Sequence, residues 1–124
     1  MIRWSAATIF FFLLAPSSLL AHAYLVKAIP AQRAALFRAP VKIQLWFNER
    51  LEPRYSSIGV SDAVGNPVEI GKAALGAEDS KQLSIAIKPL PAGRYLVKYR
   101  VLSVDGHIVQ DQFSFTVNRR CAPR

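Results

Sequence analysis

Short segments in which apolar and polar residues alternate are the feature that most limits the fold of this sequence. In the clearest of them, residues 41–48, every second side chain is apolar. Successive side chains of a strand face opposite sides of a sheet, so this pattern predicts strands that each bury one face. The other strand candidates are residues 24–29, 56–61, 83–88, 94–104 and 113–117.

Turn-forming residues separate these segments, most clearly at residues 62–67 and 89–93. About seven short strands with turns between them predict an all-β fold, either an antiparallel sandwich or a small Greek-key barrel. Only residues 31–37 favour a helix, and for no more than a turn or two.

The composition limits the chain to one domain and excludes several kinds of site. The 124 residues include 16 Lys and Arg against 8 Asp and Glu, a formal net charge of +8. The basic residues are scattered singly, which favours a solvated surface for acidic partners or anionic lipid head groups over nucleic acid. The single cysteine, Cys121, excludes an internal disulfide and a paired-cysteine zinc site. The single methionine, Met1, excludes a methionine-rich Cu(I) site.

Residues 1–21 have the features of a secretory signal peptide. An early positive charge precedes a short apolar core, which Pro16 and two serines interrupt before a small-residue end. The apolar core is too short for a membrane span. Local cleavage rules favour a cut after Ala23, which discards His22, while a cut after Ala21 makes His22 the first residue.

The two histidines of the chain, His22 and His107, point to a metal site. An N-terminal histidine offers two nitrogens, its α-amine and its ring. Asp105 and His107 are two residues apart, so in an extended segment they face the same side, and Gly106 lets the backbone bend between them. Three nitrogens and one oxygen suit the tetragonal geometry of Cu(II). The alternative is an ordinary Asp-Gly turn beside a surface histidine.

Six segments of the sequence resemble the CopC family of periplasmic copper-resistance proteins. They follow the family's order and spacing over nearly the whole mature chain. Two of them carry the candidate ligands, His-Ala-Tyr-Leu near the N-terminus and Ser-Val-Asp-Gly-His near the C-terminus. The segments are residues 22–25, 30–31, 41–49, 90–95, 99–107 and 113–117.

The resemblance implies a seven-stranded Greek-key β-barrel or sandwich, cupredoxin-like or immunoglobulin-like. It implies one Cu(II) ion held by His22, Asp105 and His107. It therefore also implies cleavage that exposes His22, against the local preference. The chain then divides into a signal peptide at residues 1–21, a copper-binding β domain at residues 22–118 and a C-terminal tail at residues 119–124.

Two further positions stay open. Glu49 matches an acidic position of the family, and whether it takes part in the site is undecided. Cys121 lies in the basic tail, where a free thiol and an intermolecular disulfide are both compatible with the sequence.

The same resemblance implies a function: a periplasmic Cu(II)-binding protein, not an enzyme, that buffers copper, confers resistance or delivers copper to a CopD-type inner-membrane transporter. The mature chain is expected to be a soluble monomer that binds no nucleic acid. Two alternatives are a histidine-brace copper oxygenase and a metal-free immunoglobulin-like interaction module. In an oxygenase Asp105 would occupy a coordination position, and the chain is too short for a broad carbohydrate-binding face.

Overall fold

The computed structural model describes residues 23–119. The strands are β1 (Leu25–Ile29), β2 (Ala35–Leu36), β3 (Lys42–Phe47), β4 (Ser57–Ser61), β5 (Glu69–Leu75), β6 (Gln82–Ile87), β7 (Gly93–Leu102) and β8 (Ile108–Val117). They form two four-stranded sheets, with the orders β1-β3-β6-β5 and β2-β8-β7-β4. All neighbouring strands are antiparallel except β2 and β8, which run parallel. Among residues 23–119, no helix has the length and apolar character needed to cross a membrane.

The two sheets enclose one hydrophobic core, to which β3, β6, β7 and β8 contribute most of the buried side chains. In these four strands alternate residues point inward, and the predicted all-β fold is confirmed. One aromatic pair joins the two sheets, since Phe47 meets Tyr99 edge-on at 5.5 Å, and a second lies within the second sheet, where Phe115 stacks on its cross-strand partner Tyr95 at 5.4 Å. The buried residues of the four strands are Ile43, Leu45, Phe47, Leu83, Ile85, Ile87, Tyr95, Val97, Tyr99, Val101, Phe113, Phe115 and Val117.

The helix predicted for residues 31–37 is wrong. This stretch contains β2, which lies along the edge of β8. The Arg33 N–H donates to the Ser114 carbonyl at 2.7 Å, and the Thr116 N–H donates to the Ala34 carbonyl at 2.8 Å. Arg33 also has φ of 60°, outside the helical region. A helix this short leaves most of its backbone groups without partners, whereas the edge of β8 supplies them.

The alternation of apolar and polar residues did not predict two features of the strands. Strand β5 has no clear two-residue period, because its pairing with β6 shifts register between Ile70 and Ala74. Gly71, inside this irregular stretch, has φ of 72°. Strand β8 begins at Ile108, earlier than the predicted start at residue 113. Its first half is mostly polar and exposed because it continues the pairing with β7 past the edge of the core.

Candidate metal centre

The loop between β7 and β8 carries two of the predicted ligands, Asp105 and His107. The Ser103 N–H donates to the His107 carbonyl at 2.9 Å, and the Gly106 N–H donates to the Ser103 carbonyl at 2.9 Å. Gly106 has φ of 93°, a left-handed conformation that a residue without a side chain adopts at little cost. These bonds fold the loop into a tight turn whose two ends lie side by side.

The turn brings the side chains of Asp105 and His107 together. Nδ1 of His107 lies 3.0 Å from Oδ1 of Asp105, and the His107 backbone N–H donates to the same oxygen at 3.2 Å. The hydroxyl of Ser103, a residue only 1% exposed, also donates to this oxygen. The Ser103 hydroxyl first, and His107 second, lower the pKa of Asp105 from 3.8 to about 2. The carboxylate is therefore ionised at neutral pH.

The distance between Asp105 and His107 fits two neighbouring ligands of one metal ion. Two ligand atoms about 2.0 Å from a metal and at right angles to each other lie about 2.8 Å apart. The measured Nδ1–Oδ1 distance is 3.0 Å. Because the carboxylate is already ionised, it needs to release no proton when a cation binds. Both side chains are partly exposed, although the Nδ1 atom of His107 itself is buried.

The described chain begins with a contact to the end of β3. The Tyr24 N–H donates to Oδ1 of Asn48 at 2.6 Å, and the Asn48 N–H donates to the Tyr24 carbonyl at 3.2 Å. Ala23 is buried, with 1% of its surface exposed. The predicted ligand His22 lies outside the described residues, and so does Cys121.

Residues 48–52, the bridging segment, connect this N-terminal contact to the Asp105–His107 loop. The Val104 N–H donates to the Arg50 carbonyl at 2.9 Å. Asn48, two residues earlier, holds Tyr24 through both of the bonds given above. The start of the described chain and the loop with Asp105 therefore lie at the same end of the sandwich.

Within residues 23–119 there is no group of three or more His, Cys, Asp or Glu side chains that could hold a metal ion. Asp105 and His107 supply two of the three ligands that such a group needs. Glu49 is half-buried in the bridging segment, and its part in the site stays open. His22, the third ligand that the sequence predicts, lies outside this range.

The sequence also has clear relatives. The CopC domain family model matches residues 25–118. The chain belongs to the CopC family. Copper resistance protein C from Escherichia coli is 36% identical over 108 residues, which cover 81% of this chain and 84% of that relative. The copper transport protein CutJ from Bacillus subtilis is 28% identical over 118 residues, 94% of this chain but only 22% of CutJ.

Solved structures of the family share the fold. The crystal structure of CopC from Methylosinus trichosporium OB3b matches with a TM-score of 0.75 and 36% identity, over 83% of this chain and 100% of that one. The structure of PcoC, a methionine-rich copper resistance protein from Escherichia coli, matches with a TM-score of 0.69 and 35% identity, over 78% and 99% of the two chains. The CopC resemblance and the two-sheet β fold are thus confirmed.

Ser103 is the residue of this loop whose role the sequence did not predict. Replacing it in Ser103→Ala removes the hydroxyl donor to Asp105 and leaves both predicted ligands in place. We expect the pKa of Asp105 to rise towards the ordinary value and Cu(II) affinity to fall by about 10- to 100-fold, as for other residues that orient a ligand. Competition titration with a Cu(II) chelator measures the affinity, and NMR titration of the carboxyl measures the pKa.

A second buried serine provides the matched control. Ser56 donates to the Glu52 carbonyl and accepts from the Leu102 N–H, so it reaches the end of β7 next to the loop but makes no hydrogen bond to Asp105. Ser56→Ala should lower the stability of the apo protein and leave Cu(II) affinity within about twofold. Equal losses of affinity in the two variants would show that Ser103 acts only through general stability.

Proposed function

We propose that the processed chain binds one Cu(II) ion through the amine and ring of His22, the carboxylate of Asp105 and the ring of His107. The observation that supports this proposal is the pairing of Asp105 with His107 at the same end of the sandwich as Tyr24. The protein then serves as a periplasmic copper-binding protein for buffering, resistance or delivery to a CopD-type membrane transporter. It is a carrier of copper and not an enzyme.

The donor set favours Cu(II) over Cu(I). Nitrogen and carboxylate ligands suit Cu(II), whereas thioether and thiolate ligands select Cu(I). PcoC is a methionine-rich protein, but Met1 is the only methionine of this chain, and it falls within the proposed signal peptide. We infer that this chain carries the Cu(II) function of the site without a second, methionine-based site.

The burial of Ala23 supports signal cleavage after Ala21. A cut after Ala23 would remove a side chain that is only 1% exposed in the fold. It would also convert the Tyr24 N–H, which donates to Asn48, into a charged α-amine. A cut after Ala21 keeps both features and exposes His22. Intact-mass measurement of the exported protein distinguishes the two products, which differ by one histidine and one alanine residue.

A Cu(II) titration of the processed protein, followed by electron paramagnetic resonance, tests the proposal. The expected result is one bound Cu(II) per chain with a tetragonal spectrum and hyperfine coupling to nitrogen. His107→Ala should lose nitrogen coupling and affinity, while Asp111→Asn, which removes an exposed carboxylate outside the loop, should change neither. Absence of stoichiometric Cu(II) uptake by the wild-type protein would favour a metal-free interaction module.

Acidification should release the copper. Free α-amines titrate near about pH 8 and imidazoles near about pH 6.5, so protons compete for the proposed nitrogen ligands between about pH 8 and pH 5. The pKa of Asp105, about 2, keeps its carboxylate ionised across this range. Asp105→Asn should therefore weaken binding at each pH, because it removes a proposed oxygen ligand. His107→Ala should make the slope of log affinity against pH shallower by about one proton per ion. Calorimetry at several pH values measures this slope, and a slope in His107→Ala equal to that of wild type would contradict the assignment of His107.

A further inference from the structure

The outer face of the second sheet contains an open groove with a volume of about 710 Å³. Strand pairing arranges its lining in two rows across β4, β7 and β8. One row is Ser57, Arg100 and Gln110, and the next is Gly59, Lys98 and Gln112. Along β7, Lys98 and Arg100 alternate with Val97, Tyr99 and Val101. The latter three point into the core, so Lys98 and Arg100 point to solvent.

The groove carries two positive charges that form no ion pair among the described residues, although Asp111 also lines it and Glu69 shares an adjoining cavity with Lys98. Lys98 and Arg100 are both exposed, and neither lies within ion-pair distance of a carboxylate among residues 23–119. Asp111 pairs with the inward-facing Tyr99, so its side chain leaves the opposite face of β8 from those of Gln110 and Gln112. The residues of the two rows that face solvent are therefore the two cations and uncharged residues.

Gly59 gives the groove its depth beside Lys98. A Cβ atom built at this position meets no atom within 4 Å, so the space above the glycine is open. Ser57 and the two glutamines flank the cations with hydroxyl and amide groups that can also hydrogen-bond an anion.

We propose that this groove binds an extended, acidic segment of a partner protein, with two alternate carboxylates over Lys98 and Arg100. Residues two apart in a strand are about 6.6 Å apart, and an extended peptide repeats its side chains at the same spacing. Alternate carboxylates of such a peptide therefore match the two cations in register. The head groups of a fluid bilayer have no fixed spacing, whereas the two cations match alternate residues of an extended chain, which favours a peptide over anionic lipid head groups.

The groove lies close to the proposed copper site, but binding in it needs no copper. Beyond the row of Arg100 and Gln110, the pairing continues to Leu102 and Ile108, which flank the Asp105–His107 loop. A partner segment held in the groove would thus lie beside that loop. The proposal goes beyond copper binding, so the experiment is run on apo protein and on protein with Cu(II).

Fluorescence polarisation of a labelled peptide tests this proposal. The probe is an acetylated peptide of four Glu-Ser repeats, and the control peptide has four Gln-Ser repeats. The double variant Lys98→Gln/Arg100→Gln should bind the acidic peptide about 5- to 10-fold more weakly than wild type. The double variant Lys42→Gln/Lys72→Gln has the same net charge, with its changes on the first sheet, and should stay within about twofold. Binding should also weaken with added salt.

Three outcomes overturn the proposal. The first is that wild type binds the acidic peptide no better than the neutral peptide. The second is that both double variants lose affinity equally, which indicates attraction by net charge alone. The third is that vesicles of phosphatidylglycerol bind to wild type, and lose binding in Lys98→Gln/Arg100→Gln, while the peptide does not bind. Loss of peptide binding without any change in Cu(II) affinity separates the groove from the copper site.

A variant that fills the groove without changing charge tests its shape. In Gly59→Leu the added Cβ atom meets no atom within 4 Å, and the variant should keep or raise the thermal stability, since glycine is a poor strand former. It should weaken binding of the acidic peptide about fivefold or more by occupying the space beside Lys98. Peptide affinity equal to that of wild type would place the peptide outside the groove.

Discussion

Replacing His22 by alanine in the processed protein should lower Cu(II) affinity by at least about 100-fold. Replacing a residue that only orients a metal ligand lowers metal affinity by about 10- to 100-fold, and replacing the ligand itself lowers it further. The amine and ring of an N-terminal histidine also bind one ion as a chelate. His22→Ala keeps the amine in place and removes the ring, while acetylation of the α-amine keeps the ring and removes the amine. Each change should abolish tight binding, as measured by competition with a Cu(II) chelator.

The apo fold provides the control for this prediction. Residue 22 precedes Ala23, the first of the described residues. The contact between Tyr24 and Asn48 does not involve the side chain of residue 22. The thermal midpoint of apo His22→Ala should therefore stay near that of wild type. Tyr24→Phe, which changes an exposed side chain next to the same contact, should leave Cu(II) affinity unchanged. Retention of wild-type affinity by both the acetylated protein and His22→Ala would show that the N-terminus is not a ligand.

The strands could be predicted from the sequence where burial alone decides the pattern. Residues 42–47 of β3 alternate cleanly because one face meets the core and the other meets solvent. The same reasoning failed for β5, where Gly71 and a register shift interrupt the alternation. It also failed for residues 31–37, because the partner of β2 is the edge of β8, far along the chain. Pairing of this kind depends on tertiary structure and leaves no local pattern.

The candidate site was also predictable only in the part that local sequence spacing determines. The spacing of Asp105 and His107 predicted a shared side for an extended segment, whereas the structure brings them within 3.0 Å of each other through the tight turn at Gly106. The role of Ser103 could not be predicted, because a serine two residues before an aspartate is unremarkable until burial directs its hydroxyl to the carboxylate. The link from Tyr24 through Asn48 to the loop also has no sequence signal, since backbone hydrogen bonds between distant segments make it.

Replacing Phe115 by alanine should destabilise the apo protein by about 3–5 kcal/mol. Phe115 is 0% exposed, and its ring stacks on Tyr95 at 5.4 Å in the centre of the second sheet. Removing the ring loses its buried apolar area and leaves a cavity between two sheets whose strands cannot close it without breaking their pairing. Phe115→Leu, which keeps most of the volume, should cost less than about 1.5 kcal/mol. Chemical denaturation measures both, and similar losses in the two variants would argue against a rigid core at this position.

Cu(II) should restore part of the stability lost in Phe115→Ala if the proposed site depends on the fold. A ligand that binds only the folded chain adds about 2.7 kcal/mol at a free concentration 100 times its dissociation constant. The unfolded chain keeps the amine and ring of His22 but loses the fixed 3.0 Å pairing of Asp105 with His107. The stabilisation by Cu(II) therefore measures how much of the affinity comes from the folded loop. Adding His107→Ala to Phe115→Ala should remove most of this stabilisation, and an undiminished effect would mean that copper is held by the N-terminus alone.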